Sequence, residues 1–289
     1  MAQVAGRADR LSVAGSFLFV PGDDEAKLRK ACSGSADVVI ADLEDSVPES
    51  SRPGARQAIA RIVEECREPS GPLLMLRVGR KADSIPRDDL ALATELELDA
   101  IVVPKASPED LERLPGRCPA VVALIESARG LRGAFDLISD ERVEALALGA
   151  VDLSVDLRLA PVPGCDLVEP QLLVARSELV TACAAAAARA PIDGVAVDFE
   201  DLDGFRRTTL AGRALGMRGR LCIHPAQVDV VNAHAGPSRK EIDWARRVLA
   251  AYRQVTPIGV VAIEGSMADE AVAKRAEQVL AEAEDRGVR

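Results

Sequence analysis

Short apolar segments recur along the chain and are separated by longer amphipathic or alanine-rich stretches. Almost every position within a segment is apolar, which is typical of strands that are buried on both faces. Strands that alternate with helical stretches favour a parallel sheet, and a count of eight favours closure into an α/β (β/α)8 TIM barrel over an open sheet. The eight segments cover residues 16–20, 38–43, 73–78, 100–104, 121–125, 145–149, 194–199 and 220–223.

The chain continues for more than fifty residues after the eighth apolar segment. Residues 238–254 predict an amphipathic helix with Trp244, Val248 and Leu249 on one face, residues 256–263 are extended and apolar, and residues 268–286 predict a final helix. A single barrel does not need this tail for closure. We therefore expect a barrel domain at 1–235 and a C-terminal helical extension at 236–289, which acts as a lid over the barrel mouth, a neighbouring subunit, or both.

The composition excludes several classes of protein. The 289 residues are 48% hydrophobic, and 36 Lys and Arg face 46 Asp and Glu, giving a net charge of −10 without a basic stripe. This balance argues against a nucleic-acid partner. The six cysteines are dispersed and accompany two histidines, which argues against a zinc site or a disulfide framework. The first ten residues lack the apolar core of a signal peptide, and the chain lacks an apolar run long enough to cross a membrane, so we expect a soluble cytoplasmic protein.

Polar side chains follow most of the apolar segments, where the carboxyl ends of barrel strands place active sites. Core packing alone does not explain so many charged residues at the ends of apolar strands. Arg77, Glu44, Asp45 and Glu126 are the candidate substrate contacts. The full set of strand-end residues is Pro21, Gly22, Asp42, Glu44, Asp45, Arg77, Lys105, Glu126, Asp152, Asp198 and His224.

Glu126 and Asp152 are the candidate metal ligands. Two carboxylates on neighbouring strands, without His or Cys nearby, suit a hard cation such as Mg²⁺, with Mn²⁺ as a substitute. Such an ion could chelate an α-hydroxy or α-keto carboxylate and stabilise an enolate. The alternatives are that Glu126 caps the following helix, and that Asp152 or the nearby Asp156 caps a turn.

Arg77 is the candidate anion-binding residue, because it follows apolar residues and should project into the barrel mouth. A guanidinium grips a carboxylate with two parallel hydrogen bonds and counters developing negative charge. The alternative is a buried ion pair with Glu44 or Asp45, and the two roles can coexist.

Seven motifs in order give the chain a family resemblance. It resembles the citrate lyase β-subunit-like proteins of the HpcH/HpaI aldolase superfamily from about residue 15 to the end. The matching motifs are Phe-Val-Pro-Gly-Asp at 19–23, Asp-Leu-Glu-Asp at 42–45, Leu-Arg-Val at 76–78, Val-Pro-Lys-Ala at 103–106, Ile-Glu-Ser-Ala-Arg-Gly at 125–130, Ile-His-Pro-Ala-Gln-Val at 223–228 and Ile-Glu-Gly-Ser-Met-Ala-Asp at 263–269.

The resemblance implies a carbon-carbon lyase acting on a small 3-hydroxy or 2-oxo acid as its coenzyme A thioester, assembled as a homotrimer or hexamer. It implies that Glu126 and Asp152 bind Mg²⁺ and that Arg77 holds the substrate carboxylate. It further implies that Asp269 supplies an acid/base carboxylate from a tail folded over a neighbouring subunit. The residues expected along the coenzyme A thioester are Phe19, Lys30, Ile223 and His224.

The chain departs from the family pattern at three places, each near a predicted binding site. Gly79 and Arg80 stand where the family has Asn two residues after the arginine, and Val151 stands where an acidic residue often precedes the metal aspartate. Ala26 and Lys27 displace a second lysine. Three other activities therefore stay open: an aldolase acting on free 2-oxo acids, an acyl-CoA thioesterase, and an accessory subunit that needs an acyl-carrier partner.

Overall fold

The computed structural model describes residues 7–68, 70–80, 84–160, 171–254, 260–263 and 266–287. Within it the chain forms two compact units, Met1–Asn232 and Ala233–Arg289. Glu264 and Gly265 of the tail motif lie outside the described residues. None of the described helices is both long and apolar enough to cross a lipid bilayer.

The first unit is built on a curled, seven-stranded parallel sheet with the strand order β6-β5-β4-β3-β2-β1-β7. Helices fill the connections, so the α/β class with parallel strands is as predicted. The strands are β1 (Ser16–Pro21), β2 (Val38–Asp42), β3 (Leu73–Arg77), β4 (Ala100–Val103), β5 (Ala120–Ile125), β6 (Val143–Leu148) and β7 (Arg220–Cys222). The helices are α1 (Arg7–Val13), α2 (Glu25–Cys32), α3 (Arg52–Cys66), α4 (Arg87–Glu95), α5 (Pro108–Arg113), α6 (Ala128–Arg132), α7 (Ala134–Ile138), α8 (Ala150–Asp156), α9 (Leu173–Ala185), α10 (Leu202–Leu215) and α11 (Pro225–His234), with a 3-10 turn at Glu49–Ser51.

The seventh predicted strand, at 194–199, is wrong, and the complete eight-stranded barrel is not formed by the described residues. Only Ile192 and Asp193 make parallel bridges, to Ala147 of β6 and Arg220 of β7. The ladder stops there because side chains take the polar groups of Gly194: its amide donates to Asp193 Oδ1 at 2.8 Å, and its carbonyl accepts from Arg220 Nε at 3.2 Å. The apolar pattern therefore predicted strand pairing at a place where the backbone instead bonds to the side chains of Asp193 and Arg220.

Both faces of the sheet are buried, which explains the continuous apolar pattern of the strands. Alternate residues point to opposite faces. One face packs against the surrounding helices through residues such as Leu18, Val39 and Leu76, and the other face forms an inner layer with Phe17, Ile40 and others.

The second unit contains two packed helices and a short hairpin. Its elements are α12 (Arg239–Tyr252), β8 (Val261–Ile263), β9 (Ser266–Ala268) and α13 (Glu270–Asp285), with β8 and β9 antiparallel. Its small core contains Ala245, Val248, Leu249 and Ala276, so the predicted apolar face of the first tail helix is buried. Coverage of a neighbouring subunit by this unit stays a prediction.

Candidate active site

The carboxyl ends of the parallel strands bring the predicted polar residues together. Strand register places Pro21 beside Asp42 and Asp42 beside Arg77. A cavity of about 410 Å³ opens at this edge of the sheet. Its lining includes the predicted residues Phe19, Asp45, Arg77, Glu126, Asp152 and Ile223, together with Asp42.

Arg77 is almost fully buried and binds the chain's own carboxylates. Its Nε and Nη2 donate to the two oxygens of Asp42 at 2.6 and 2.7 Å, and Nη1 lies 2.9 Å from Glu44 Oε2 and 3.1 Å from Asp45 Oδ2. Burial opposes the charge of Asp42, but the hydrogen bonds and charge of Arg77 outweigh it and lower the pKa of Asp42. Arg77 therefore makes its two parallel hydrogen bonds to Asp42, and its Nη1 faces the buried Glu44 and the exposed Asp45. The Phe19 ring lies 4.8 Å from the guanidinium carbon and packs against it.

Lys105 links the acidic residues that the sequence marked separately. Its Nζ lies 3.1 Å from Glu44 Oε1 and 3.5 Å from Asp152 Oδ1, and its backbone amide donates to Glu126 Oε2 at 2.9 Å. Lys105 has a φ of +48°, a left-handed conformation that costs energy outside glycine and clusters at functional sites. The Val-Pro-Lys-Ala motif marked Lys105 as a strand-end residue, but only its contacts in the fold show that it joins Glu44, Glu126 and Asp152.

Glu126 is 5% exposed and lies against the end of β6. Burial, with a further contribution from the charge of Glu44, raises the pKa of Glu126 to about 7. Burial also raises the pKa of Glu44, against the opposing charge of Arg77. The approach of Glu126 requires a glycine at 149, because a Cβ there would overlap Glu126 Cγ and lie 2.8 Å from Oε1.

The capping alternatives for Glu126 and Asp152 are not what the structure contains. Ser127 caps α6, since its hydroxyl accepts from Gly130 N at 3.0 Å, and Asp156 Oδ2 accepts from Ala128 N at 2.6 Å. Asp152 lies in the first turn of α8 and turns towards Lys105. Both carboxylates thus remain directed at the cavity.

The charges around this cavity fit a divalent cation. Five carboxylates and the two cations Arg77 and Lys105 meet there, leaving a formal excess of three negative charges among the described residues when all are ionised. In the described parts of the chain, no three His, Cys, Asp or Glu side chains could hold a metal ion by themselves. Mg²⁺ commonly uses one or two protein carboxylates and completes its shell with water or substrate, so this oxygen donor set suits it.

A second cavity of about 450 Å³ adjoins the first and shares Phe19, Val20, Pro21 and Ile223 with it. The predicted residues Lys30 and His224 line this second cavity, and Lys27 lines it as well. The displaced lysine of the motif is thus in the same cavity, where its Nζ pairs with Asp24 at 3.0 Å. The His224 ring stacks on Phe199, with the ring centres 5.2 Å apart.

Asp269 belongs to the second unit, where it caps α13. Its Oδ1 accepts from Val272 N at 3.1 Å, so this side chain is the N-cap of the helix. An acid/base role for Asp269 in a neighbouring subunit's site stays a prediction.

The departures from the family pattern have local explanations. A side chain at Gly79 would meet the Arg52 guanidinium at 2.8 Å, so Arg52 fills the space that another residue's side chain would take. Arg80 pairs with the buried Asp110 at 3.0 Å. Val151 lines the first cavity and makes its wall apolar at that point.

Comparison with known proteins agrees with the motifs. The profile of the HpcH/HpaI aldolase/citrate lyase family matches residues 15–225. A (3S)-malyl-CoA thioesterase of Cereibacter sphaeroides is 32% identical over 281 residues, covering 93% of this chain and 94% of the relative. A citrate lyase subunit beta-like protein of Mycobacterium tuberculosis is 33% identical over 265 residues, covering 91% of this chain and 93% of the relative.

A solved structure is similar over most of the length. The crystal structure of CitE from Mycobacterium tuberculosis in complex with magnesium, acetoacetate and coenzyme A has a TM-score of 0.80 at 32% identity, covering 94% of this chain and 99% of that one. The resemblance predicted from the motifs is confirmed. The chain belongs to the HpcH/HpaI aldolase/citrate lyase family.

Proposed function

We propose that the protein is a magnesium-dependent carbon-carbon lyase acting on a small 3-hydroxy acid as its coenzyme A thioester, of the malyl, citramalyl or citryl type. One observation carries the proposal: an acidic cavity with oxygen ligands adjoins a cavity with two lysines, and the two share a wall containing Phe19 and Ile223. A coenzyme A thioester is divided in a matching way. The short acid at one end would occupy the first cavity, and the anionic carrier at the other end would occupy the second.

Glu126 and Asp152 would hold the cation, as the charge excess around them favours. When bound, the ion would act as a Lewis acid on the hydroxyl oxygen of the carbon that carries the substrate carboxylate. The magnesium in the related CitE structure supports this choice of metal. Lys105 orients both ligands, because its amide holds Glu126 while its ammonium contacts Asp152.

Arg77 would bind the substrate carboxylate through the Nη1 edge, which now faces Glu44 and Asp45. Asp42 keeps the other edge fixed through two hydrogen bonds, so the guanidinium cannot rotate freely. The Asp45 side chain is 60% exposed and can move aside at little cost. A guanidinium held by the buried Asp42 and Glu44, with the exposed Asp45 as its displaceable partner, is preorganised for an incoming anion.

The reaction would be a retro-aldol cleavage of the 3-hydroxy thioester. In a malyl-type thioester the hydroxyl on C3 loses its proton, the bond between C2 and C3 breaks, and C3 becomes the aldehyde carbon of glyoxylate. The electron pair passes to the thioester enolate, which takes a proton at C2 to give acetyl-CoA. The proposed proton carrier is Asp269 of a neighbouring subunit, which requires the trimer or hexamer that we also propose.

A thioesterase is the second candidate, because a (3S)-malyl-CoA thioesterase is 32% identical to this chain. In that reaction water attacks the thioester carbonyl, the carbon-sulfur bond breaks, and malate and the free thiol leave. The carbon-carbon bond stays intact, so the products distinguish the two candidates.

The experiment incubates the purified protein and Mg²⁺ with malyl-CoA, citramalyl-CoA and citryl-CoA, and follows free thiol and oxo acid separately. The lyase produces oxo acid and acetyl-CoA without thiol, whereas the thioesterase produces thiol without oxo acid. An aldolase acting on free acids would turn over the acids alone. Turnover that needs an added carrier protein would indicate an accessory subunit, and a lack of reaction with all three thioesters refutes the proposal.

A further inference from the structure

Gln227 is a fully buried polar residue in the first turn of α11, outside the charged cluster. Its side chain uses both ends: Oε1 accepts from Ile223 N at 2.8 Å and from His224 N at 3.3 Å, while Nε2 donates to Ala196 O at 2.9 Å. The neutral amide carries its acceptor and its donors on separate atoms, so one side chain can bond to both segments at once.

The partners of Gln227 lie on two segments that line the cavities. Val195 lines the first cavity, Ile223 lines both, and His224 lines the second. The segment 194–199 is where the predicted strand is missing, so strand pairing does not fix it to the segment that follows β7. Gln227 supplies a link there through a single side chain.

We propose that Gln227 is a positioning residue that joins segment 194–199 to segment 223–224, and so aligns a thioester in the second cavity with the acid in the first. The inference rests on the proposed function. Its physical basis is that a buried amide without hydrogen-bond partners costs more free energy than one hydrogen bond contributes. Separating the two segments would leave Gln227 in that state, so they are held in one relative position. The stacking of His224 on Phe199 joins the same two segments and depends on that position.

The test compares Gln227→Met, which keeps the length but none of the three hydrogen bonds, with Gln227→Glu at a pH where the carboxyl is ionised, which keeps an acceptor but loses the donor to Ala196. Ser16→Ala is the stability control. Its hydroxyl accepts from Asp37 N at 3.0 Å, is fully buried, and lies at the amino end of β1, and Ser16 itself lines neither cavity.

Binding of acetyl-CoA and of Mg²⁺ is measured by calorimetry, together with melting temperature and amide hydrogen exchange. Gln227→Met should weaken acetyl-CoA binding about tenfold, because the two segments lose their fixed relative position, and leave Mg²⁺ affinity within about twofold of the wild type. Amides 223 and 224 should exchange faster in Gln227→Met than in Gln227→Glu, since only the latter retains their acceptor. Both variants should weaken acetyl-CoA binding, because each loses the link to Ala196.

Unchanged acetyl-CoA affinity in Gln227→Met overturns the inference. An equal loss of affinity in Ser16→Ala, at a matched fall in melting temperature, also overturns it, because general destabilisation would then suffice. If the wild type binds no acetyl-CoA, the proposed function has failed, and hydrogen exchange decides the remaining question. Faster exchange in both segments then supports the link, and unchanged exchange refutes it.

Discussion

Gly149 gives the sharpest test of the site because its substitution alters Glu126 without removing a charged group. Gly149 ends the connection from β6 and precedes α8, which carries Asp152. An added Cβ would overlap Glu126 Cγ and lie 2.8 and 2.9 Å from Oε1 and Cδ, closer than van der Waals contact allows. Glu126 cannot simply turn away, because it is buried and its Oε2 accepts from the Lys105 amide.

Gly149→Ala should therefore lower the free energy of unfolding by about 1–3 kcal/mol, the usual cost of overpacking. For a protein of this size that corresponds to a melting temperature lower by roughly 2–12 °C. Glu126 must move by roughly 1 Å, and a misplacement of that size in an active site costs on the order of a hundredfold in rate. Mg²⁺ affinity should fall as well, because the displaced carboxylate is a proposed ligand.

Gly54→Ala is the matched control. Gly54 lies in α3, and an added Cβ there would have no heavy atom within 4 Å, so the change should stabilise the protein by about 0.5–1 kcal/mol. Thermal unfolding, a Mg²⁺ titration and turnover are measured for both variants. Wild-type Mg²⁺ affinity and turnover in Gly149→Ala would refute the reasoning, since Glu126 would then tolerate displacement or have no role in the site.

Three further predictions concern the metal, Arg77 and Asp269. Chelation with EDTA should abolish activity and Mg²⁺ or Mn²⁺ should restore it, but not in Glu126→Gln or Asp152→Asn; full activity in chelator would exclude the metal. Arg77→Lys keeps the charge but cannot make two parallel hydrogen bonds to Asp42. We therefore expect the free energy of unfolding to fall by about 1–3 kcal/mol and most of the turnover to be lost. A wild-type rate at a lower melting temperature would mean that Arg77 has a purely structural role. Asp269→Asn should keep the cap and the melting temperature while removing turnover, and mixing it with Glu126→Gln subunits should restore some intact sites; verified subunit exchange without recovery would contradict a role across the interface.

The sequence by itself determined most of the strands and the edge at which the chemistry lies. Continuous apolar runs report burial on both faces, so 16–20, 38–43 and 220–223 were recognisable without any knowledge of their neighbours. Charged residues that follow such runs within a few positions, including Glu126 and Asp152, had to lie at the same edge because parallel strands share a direction. These inferences need only local pattern and the geometry of a parallel sheet.

The tertiary structure decided which groups pair across that edge and where the sheet stops. Arg77 grips Asp42 because β2 and β3 pair with these two residues side by side, a register that the chain order does not specify. Segment 194–199 has the composition of a strand but does not pair, since the polar groups of Gly194 bond to buried charged side chains. The role of Lys105 likewise depends on residues brought together from three strand ends. Hydrophobic pattern records whether a position is buried, whereas hydrogen-bond partners are chosen by distance and direction in the folded chain.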